Sequence, residues 1–430
     1  MPRYTSYPTA DRFETTFGYR DYLQAVAALR TRGCAKALSL YLHIPFCDTV
    51  CHYCAGDKIV DINRDKVAVY LSYLKREIEM QGRLLSGMNR VEQLHLGGGA
   101  PTCLSDAQME ELMLHVRRWF QFGPDAVGDY SIEIDPRSVA CERVAGLRLQ
   151  GFNRISVAAQ DYDANVQPAR NRIWPAPETA AIIEAARQAQ FRSVSVELRY
   201  GLALQSLETV AATLALVIKA NPDRIALYCQ ADLAGAAVRL AMLELCIDTL
   251  TAAGYVHIGV DHFARPGDAL AIAQIQGRLH CNFQGYSTHA DMDLVACGVS
   301  AISSVATTYS QNVKTLDAYY DLLDRNELPI ERGVRLTMDD ALRRTIIHML
   351  MCQFELSIPA IEQAYPIGFA DYFAAELKQL ALLEADGLVT IDAQWLTVTP
   401  RGRVLIGNVC MVFDRYLNAG LAAPRPLQAK

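Results

Sequence analysis

The sequence predicts an α/β fold. A partial (β/α)6 barrel follows an irregular N-terminal segment and precedes a mostly α-helical, winged-helix-like C-terminal domain. Two observations predict it. From residue 37 to about 263, short β-branched or apolar runs alternate with longer helical patterns, and such alternation implies parallel strands covered by helices. From about residue 337 helices return and end in two short strand-like runs and a last helix. The 430 residues exceed one average domain, and an apolar content of 51% supports a sizeable core.

The expected organisation is an N-terminal segment over 1–36, a barrel with a substrate-side extension over 37–335 and a C-terminal domain over 336–430. The strand candidates are "ALSLYLHI", "VEQLHLGGG", "DYSIEID", "RISVAAQ", "SVSVELRYG" and "RIALYC". Between them run helical stretches such as "DKVAVYLSYLKREIEMQGRLL" and "SLETVAATLALVIKA". In "SDAQ", Ser105 suits a helix N-cap with Gln108 reaching back. Functional groups on such a scaffold sit at the C-terminal ends of strands. Residues 264–335 read as irregular and rich in small polar residues. The C-terminal helices "TMDDALRRTIIHMLMCQ" and "FADYFAAELKQLALLEADGL" lead to "LVTIDA" and "WLTVTPRG", which pair as a small hairpin, and to a helix ending in "VFDRYL".

Composition narrows the function. The net charge of -6 leaves no basic face for a phosphate backbone, so nucleic acid is not the expected partner, and the winged-helix pattern reads as a structural cap. No apolar run is long enough to span a bilayer, and the first residues lack the apolar core of a signal peptide. A cytoplasmic protein is expected. Twelve cysteines in such a chain are not a disulfide framework. The nine outside the cluster described next read as buried small hydrophobes, Cys229, Cys246 and Cys410 among them.

Three cysteines, Cys47, Cys51 and Cys54, crowd into "CDTVCHYC" just after the first strand. Packing alone is a poor explanation for three thiols in one tight loop. Closed zinc sites want four ligands, and no second CxxC pair completes one, although His52 is adjacent. A [4Fe–4S] cluster also usually takes four cysteines, so three leave one iron with an open position for chemistry. The glycine run of "LHLGGGAPT", residues 94–102, ends the second strand, where absent Cβ atoms let backbone approach a ligand. Glu133, Gln160 and Glu197 lie at the ends of later strands, with Arg172 following in "ARNRIW"; polar groups in apolar strands are costly unless partnered.

The C-x3-C-x2-C spacing after "SLYLHIPFC" is the signature of the radical S-adenosylmethionine enzymes. The chain further resembles the oxygen-independent coproporphyrinogen III dehydrogenase (HemN-type) family over nearly its whole length. "PRYTSYPTADRF", "SIEIDPRSV", "GFNRIS", "QDYD", "DHFARP", "NFQGYST", "GVSAIS" and "VFDRYL" carry the resemblance in family order. It implies that Cys47, Cys51 and Cys54 ligate a [4Fe–4S] cluster. Tyr41, Gly98, Glu133 and Ile302 match one S-adenosylmethionine site. Tyr53, Gly99, Ala100, Gln160, Arg172, Glu197 and Ala231 match a second, which the family is expected to hold. The implied reaction begins when the reduced cluster cleaves S-adenosylmethionine to a 5′-deoxyadenosyl radical. Hydrogen abstraction from a propionate β-carbon, then loss of CO2 and one electron, leaves a vinyl group. Two rounds turn coproporphyrinogen III into protoporphyrinogen IX, with an electron donor and an electron acceptor as partners and the protein as a monomer.

The sequence departs from that family's pattern in several places. Gly56 stands where a further cysteine is usual, Ala100 replaces a threonine, Glu197 replaces an aspartate and Ala158 replaces a glycine. Ala203 and Leu204 stand where a proline and a basic residue are usual, and a basic, proline-containing stretch is missing after Ala231. These departures motivate an alternative: a paralogue that binds haem or another tetrapyrrole without decarboxylating it. A third reading is a radical enzyme with another substrate, such as a methyltransferase.

Overall fold

Helix α1 (Tyr19–Thr31) leads into strand β1 (Leu38–Ile44), and strands and helices then alternate. They are α2 (Arg64–Leu84), β2 (Arg90–Gly98), α3 (Asp106–Trp119), the two-residue β3 (Gln121–Phe122), β4 (Asp129–Ile134), α4 (Cys141–Leu149), β5 (Arg154–Gln160), α5 (Ala176–Gln188), β6 (Ser193–Tyr200), α6 (Leu207–Ala220), β7 (Arg224–Cys229) and α7 (Ala236–Ala252). This computed structural model describes residues 6–31, 36–47, 59, 63–166, 175–230, 235–283, 285–289 and 292–417. The six strands expected from the sequence are β1, β2, β4, β5, β6 and β7, paired parallel in that order. Local chemistry marks the starts of three of these helices. Asn63 caps α2, and Ser105 with Gln108 forms the expected capping box on α3. Ser206 with Thr209 forms another on α6.

The chain continues through β8 (Val256–Gly259), β9 (His262–Ala264), α8 (Ala269–Ile275), β10 (His280–Asn282) and β11 (Gly285–Ser287). It then adds β12 (Asp293–Cys297), β13 (Ile302–Val305), β14 (Thr308–Asn312), α9 (Leu316–Asp324) and β15 (Ile330–Arg335). Strand β12 pairs parallel with β1, and β13, β14 and β15 extend the sheet antiparallel from it. The expectation of an irregular 264–335 is therefore corrected. Its strands are rich in small polar residues that are buried because they are hydrogen-bonded. Ser303 Oγ accepts from Ala296 N at 2.9 Å, and Asn312 Nδ2 donates to Glu77 and to Gly298 O at 2.8 Å each. No apolar alternation marks such strands.

The remaining elements are α10 (Met338–Gln353), β16 (Glu355–Ser357), α11 (Ile358–Ala364), α12 (Phe369–Tyr372), α13 (Ala374–Ala385), β17 (Val389–Ile391), β18 (Trp395–Val398), α14 (Pro400–Val404) and α15 (Ile406–Val412). The expected hairpin is β17–β18, and β16 adds a third antiparallel strand on its other side. The described chain divides into two compact units. One holds residues 13–253 and 291–335; the other holds 1–12, 254–290 and 336–430. The second unit thus takes in residues 254–290, which the sequence groups with the barrel. Ile258, Leu270 and Leu279 bury against Cys352 of α10 there. Leu342, Ile346, Leu350, Leu380, Leu396, Val409 and Phe413 form that unit's main core.

Candidate functional site

The parallel strands show two different faces. Ile132, Ile134, Ile155, Val157, Val194, Val196 and Leu198 are fully buried. Residues on the alternate face are half-buried and mostly polar: Tyr41 and His43 on β1, His95 on β2, Ser131 and Glu133 on β4, Ser156 on β5, and Ser195, Glu197 and Arg199 on β6. Alternation with period two fixes this segregation, and it leaves a polar lumen where a packed barrel would carry branched aliphatic side chains.

Hydrogen bonds join the row across strands. Glu133 accepts from Gly98 N at 3.2 Å and lies 2.9 Å from His95 Nε2. On the other side of the ring, Nδ1 meets Ser131 Oγ at 2.6 Å, and that hydroxyl also lies 3.2 Å from Leu94 O. The His95 ring stacks on Tyr41, centroids 5.7 Å apart, and the Tyr41 hydroxyl meets His43 Nδ1 at 2.9 Å. Burial pushes the Tyr41 phenol far up, so it stays a neutral hydroxyl. Ser156 Oγ donates to Glu197 at 2.6 Å. Burial, reinforced by the charge of Glu133, holds the Glu197 carboxyl above its ordinary value.

The glycine run closes against the segment that carries Cys47. Gly99 N donates to Ile44 O and Ala100 N to Phe46 O, each at 2.7 Å. A Cβ on Gly99 would sit 2.7 Å from the Phe46 carbonyl carbon and 3.0 Å from Cys47 Sγ. Gly98 has φ +115, a conformation that favours glycine. Cys47 is buried, and its N–H donates to Ile59 O at 3.0 Å. Gln160 ends β5 at φ 64, where the β5–β6 register shifts. Among the described residues, its Oε1 is buried without a hydrogen-bond partner. Ile302 opens β13 and is half-buried.

The structure thus brings Tyr41, Gly98 and Glu133 into one hydrogen-bonded and stacked patch, with Gly99, Ala100 and Cys47 beside it. Glu197 joins through its electrostatic coupling to Glu133. Cys51, Tyr53, Cys54, Gly56, Arg172 and Ala231 lie outside the described residues. His95 is the group that sequence reasoning missed. A lone histidine between Leu94 and Leu96 was the available signal, and it points to the lumen by alternation alone. The expectation that all nine other cysteines are buried is corrected: Cys141 and Cys229 are exposed, because each stands at the end of its element.

The residues fit an iron–sulfur cluster with a nucleotide ligand. A buried thiol suits iron, an orphaned buried amide oxygen asks for a donor, and the glycine backbone packs where side chains would intrude. The parallel sheet and lumen define the class as the radical SAM fold, and the radical SAM superfamily model matches residues 41–217. The HemN C-terminal domain model matches residues 336–405. The chain is 45% identical to the oxygen-independent coproporphyrinogen III oxidase of Pseudomonas aeruginosa, over 97% of this chain and 93% of that protein. It is 44% identical to the Escherichia coli protein of the same name, over the same shares. The solved structure of E. coli coproporphyrinogen III oxidase (HemN), a radical SAM enzyme, superposes with a TM-score of 0.92 over 96% of this chain and 98% of that one. The chain belongs to the oxygen-independent coproporphyrinogen III oxidase family. Among the described residues, no helix is long and apolar enough to cross a membrane.

Proposed function

We propose that the chain catalyses the oxygen-independent oxidative decarboxylation of two propionates of coproporphyrinogen III to vinyl groups, giving protoporphyrinogen IX for anaerobic haem synthesis. The near full-length identity to oxidases of that name carries the reading. The polar, half-buried lumen supports it.

Cys47, with Cys51 and Cys54, would hold the cluster. Tyr41, Gly98, Glu133 and Ile302 would hold one S-adenosylmethionine. Tyr53, Gly99, Ala100, Gln160, Arg172, Glu197 and Ala231 would hold a second. When bound, the cluster and S-adenosylmethionine supply one-electron reduction and hydrogen-atom abstraction. The chain's own groups bind, orient and exclude water. Glu133 presents a carboxylate fixed by His95 and the Gly98 amide, preorganised for donors such as ribose hydroxyls or an ammonium. Tyr41 remains a hydrogen-bond donor because its phenol stays protonated. Each converted propionate gives up one hydrogen atom, one electron and CO2, so an external electron acceptor completes the balance. The same reading makes the protein a cytoplasmic monomer served by an external electron donor.

Anaerobically reconstituted protein with S-adenosylmethionine, a reductant and coproporphyrinogen III should release 5′-deoxyadenosine and the divinyl product. A protein that carries its cluster and binds S-adenosylmethionine but forms no vinyl product would sink the proposal in favour of tetrapyrrole binding without decarboxylation.

A further inference from the structure

Arg199 occupies the penultimate position of β6, two residues beyond Glu197 on the same half-buried lumen face. Among the described residues, its guanidinium makes one hydrogen bond, from Nη1 to the neutral Gln230 Oε1 at 3.1 Å. No carboxylate lies within ion-pair distance of it among the described residues. Several other half-buried arginines of this unit have acid partners, whereas Arg332 of β15, like Arg199, hydrogen-bonds a neutral glutamine, Gln311, at 2.8 Å. Arg76 pairs with Asp324 at 3.0 Å, Arg143 with Asp106 at 2.7 Å and Arg148 with Asp125 at 2.9 Å. Glu197 feels the Arg199 charge but makes no ion pair with it: its carboxyl takes the Ser156 hydroxyl, and burial and the charge of Glu133 hold it above its ordinary value.

A guanidinium offers five N–H donors in a planar fork that matches a carboxylate, and this one commits a single donor among the described residues. The polar anchor is itself fixed. Gln230 is buried, and its N–H donates to Tyr200 O at 2.8 Å, continuing the ladder past the end of β7. Gln205 Nε2 donates to Arg199 O at 2.9 Å and holds the backbone at the same point. The cation is therefore carried on a rigid strand end, at the end of the sheet where ligands bind in such scaffolds.

We propose that Arg199 is a carboxylate receptor of the lumen, engaging either a propionate of the tetrapyrrole or the methionyl carboxylate of S-adenosylmethionine. The choice of these two ligands rests on the proposed function. The recognition is a charge-assisted, bidentate hydrogen bond.

The test compares the full-length, cluster-loaded protein with Arg199→Met and Arg199→Lys. Two dissociation constants are measured directly: coproporphyrin III, the stable oxidised relative of the substrate, by fluorescence quenching, and S-adenosylmethionine by equilibrium dialysis. Arg199→Met should weaken one of them by about tenfold to a hundredfold, the range for losing a charged hydrogen-bond partner. Arg199→Lys should recover part of that loss, because it keeps the charge but not the fork. Weaker coproporphyrin III binding identifies a propionate; weaker S-adenosylmethionine binding identifies the cofactor's carboxylate. Both constants within twofold of wild type in a folded Arg199→Met protein would overturn the assignment. If the methionine variant loses its iron or its melting transition, Arg199→Gln replaces it and is held to the same limits. Because binding is read without turnover, a wild-type protein that binds but does not oxidise coproporphyrinogen refutes the proposed reaction and leaves the Arg199 result standing.

Discussion

Gly99→Ala should abolish turnover. A Cβ at this position would lie 2.7 Å from the Phe46 carbonyl carbon and 3.0 Å from Cys47 Sγ. Real Cβ contacts to carbon need well over 3 Å, and the nearest obstructing atoms are Phe46 backbone, which cannot swing aside as a side-chain tip can. Two 2.7 Å hydrogen bonds, Gly99 N to Ile44 O and Ala100 N to Phe46 O, lock the two segments together. Relief must come from separating the glycine run from the cysteine-bearing segment by a sizeable fraction of an ångström. Overpacking of this kind costs about 1–3 kcal/mol. The functional cost is larger, because a displacement near 1 Å at a reacting centre can cost about a hundredfold in rate. Vinyl-product formation should therefore fall at least about a hundredfold, with iron content reduced and helical content intact. Gly146→Ala is the matched control. Gly146 lies inside α4 with nothing within 4 Å of its would-be Cβ. That change should leave activity alone and add about 0.5–1 kcal/mol of stability. Gly99→Ala activity within threefold of wild type would show that the glycine backbone does not set the position of Cys47.

Periodicity made the scaffold readable. Strands such as "RISVAAQ" and "RIALYC" are continuous apolar runs bounded by turn residues, and α2, α3 and α6 begin with capping residues, so those limits follow from local chemistry. The cysteine spacing and glycine run were readable for the same reason, since each is a local pattern. The lumen's polar row was only partly readable. Glu133, Gln160 and Glu197 stand out as polar residues in apolar strands. His95 and Arg199 do so no more than many satisfied structural groups, and only three-dimensional neighbours separate the two cases. His95 gains its meaning from Ser131, Glu133 and Tyr41, which come from other strands. Arg199 gains its meaning from the absence of an ion-paired carboxylate among the described residues, which no sequence displays. Strands β13 and β14 escaped because Ser303, Thr308 and Asn312 are buried through hydrogen bonds and break the apolar pattern.

Removing the Glu77 carboxylate should destabilise the barrel unit strongly and in a pH-dependent way. Glu77 is fully buried on α2. Its Oε2 accepts from Tyr319 Oη at 2.6 Å and Gly298 N at 2.7 Å, and its Oε1 accepts from Asn312 Nδ2 at 2.8 Å. The cluster pins the turn between β12 and β13, which delivers Ile302, beside the end of β1. There Tyr70 Oη donates to His43 O at 2.6 Å and accepts from Val299 N at 3.3 Å. Glu77→Ala leaves the Tyr319, Gly298 and Asn312 donors without their acceptor and opens a cavity. A loss of about 3 kcal/mol or more is expected, at about 1–3 kcal/mol for each unsatisfied buried group, partly offset by relaxation. Glu77→Gln keeps the volume and one acceptor but turns an amide toward Asn312, so it should cost about 1 kcal/mol.

The pH dependence separates these effects. Burial raises the Glu77 carboxyl to about 7 from its ordinary 4.5, against the pull of its three hydrogen bonds. The folded state therefore binds this proton more tightly than the unfolded chain. The resulting stabilisation is fully present below about 4.5 and lost as pH rises through about 7. His257, pushed down to about 4 by burial, and His348, pushed down to about 3, work in the opposite direction over much of this window. The wild-type profile alone would mix these contributions. Urea denaturation of wild type and Glu77→Gln, run side by side from pH 4.5 to 8, cancels the histidines. The stability difference, wild type minus variant, should fall by about 1–3 kcal/mol between pH 4.5 and 7 and level off above 7. A difference that stays flat across that range would mean that Glu77 is ionised throughout, with its three donors outweighing burial.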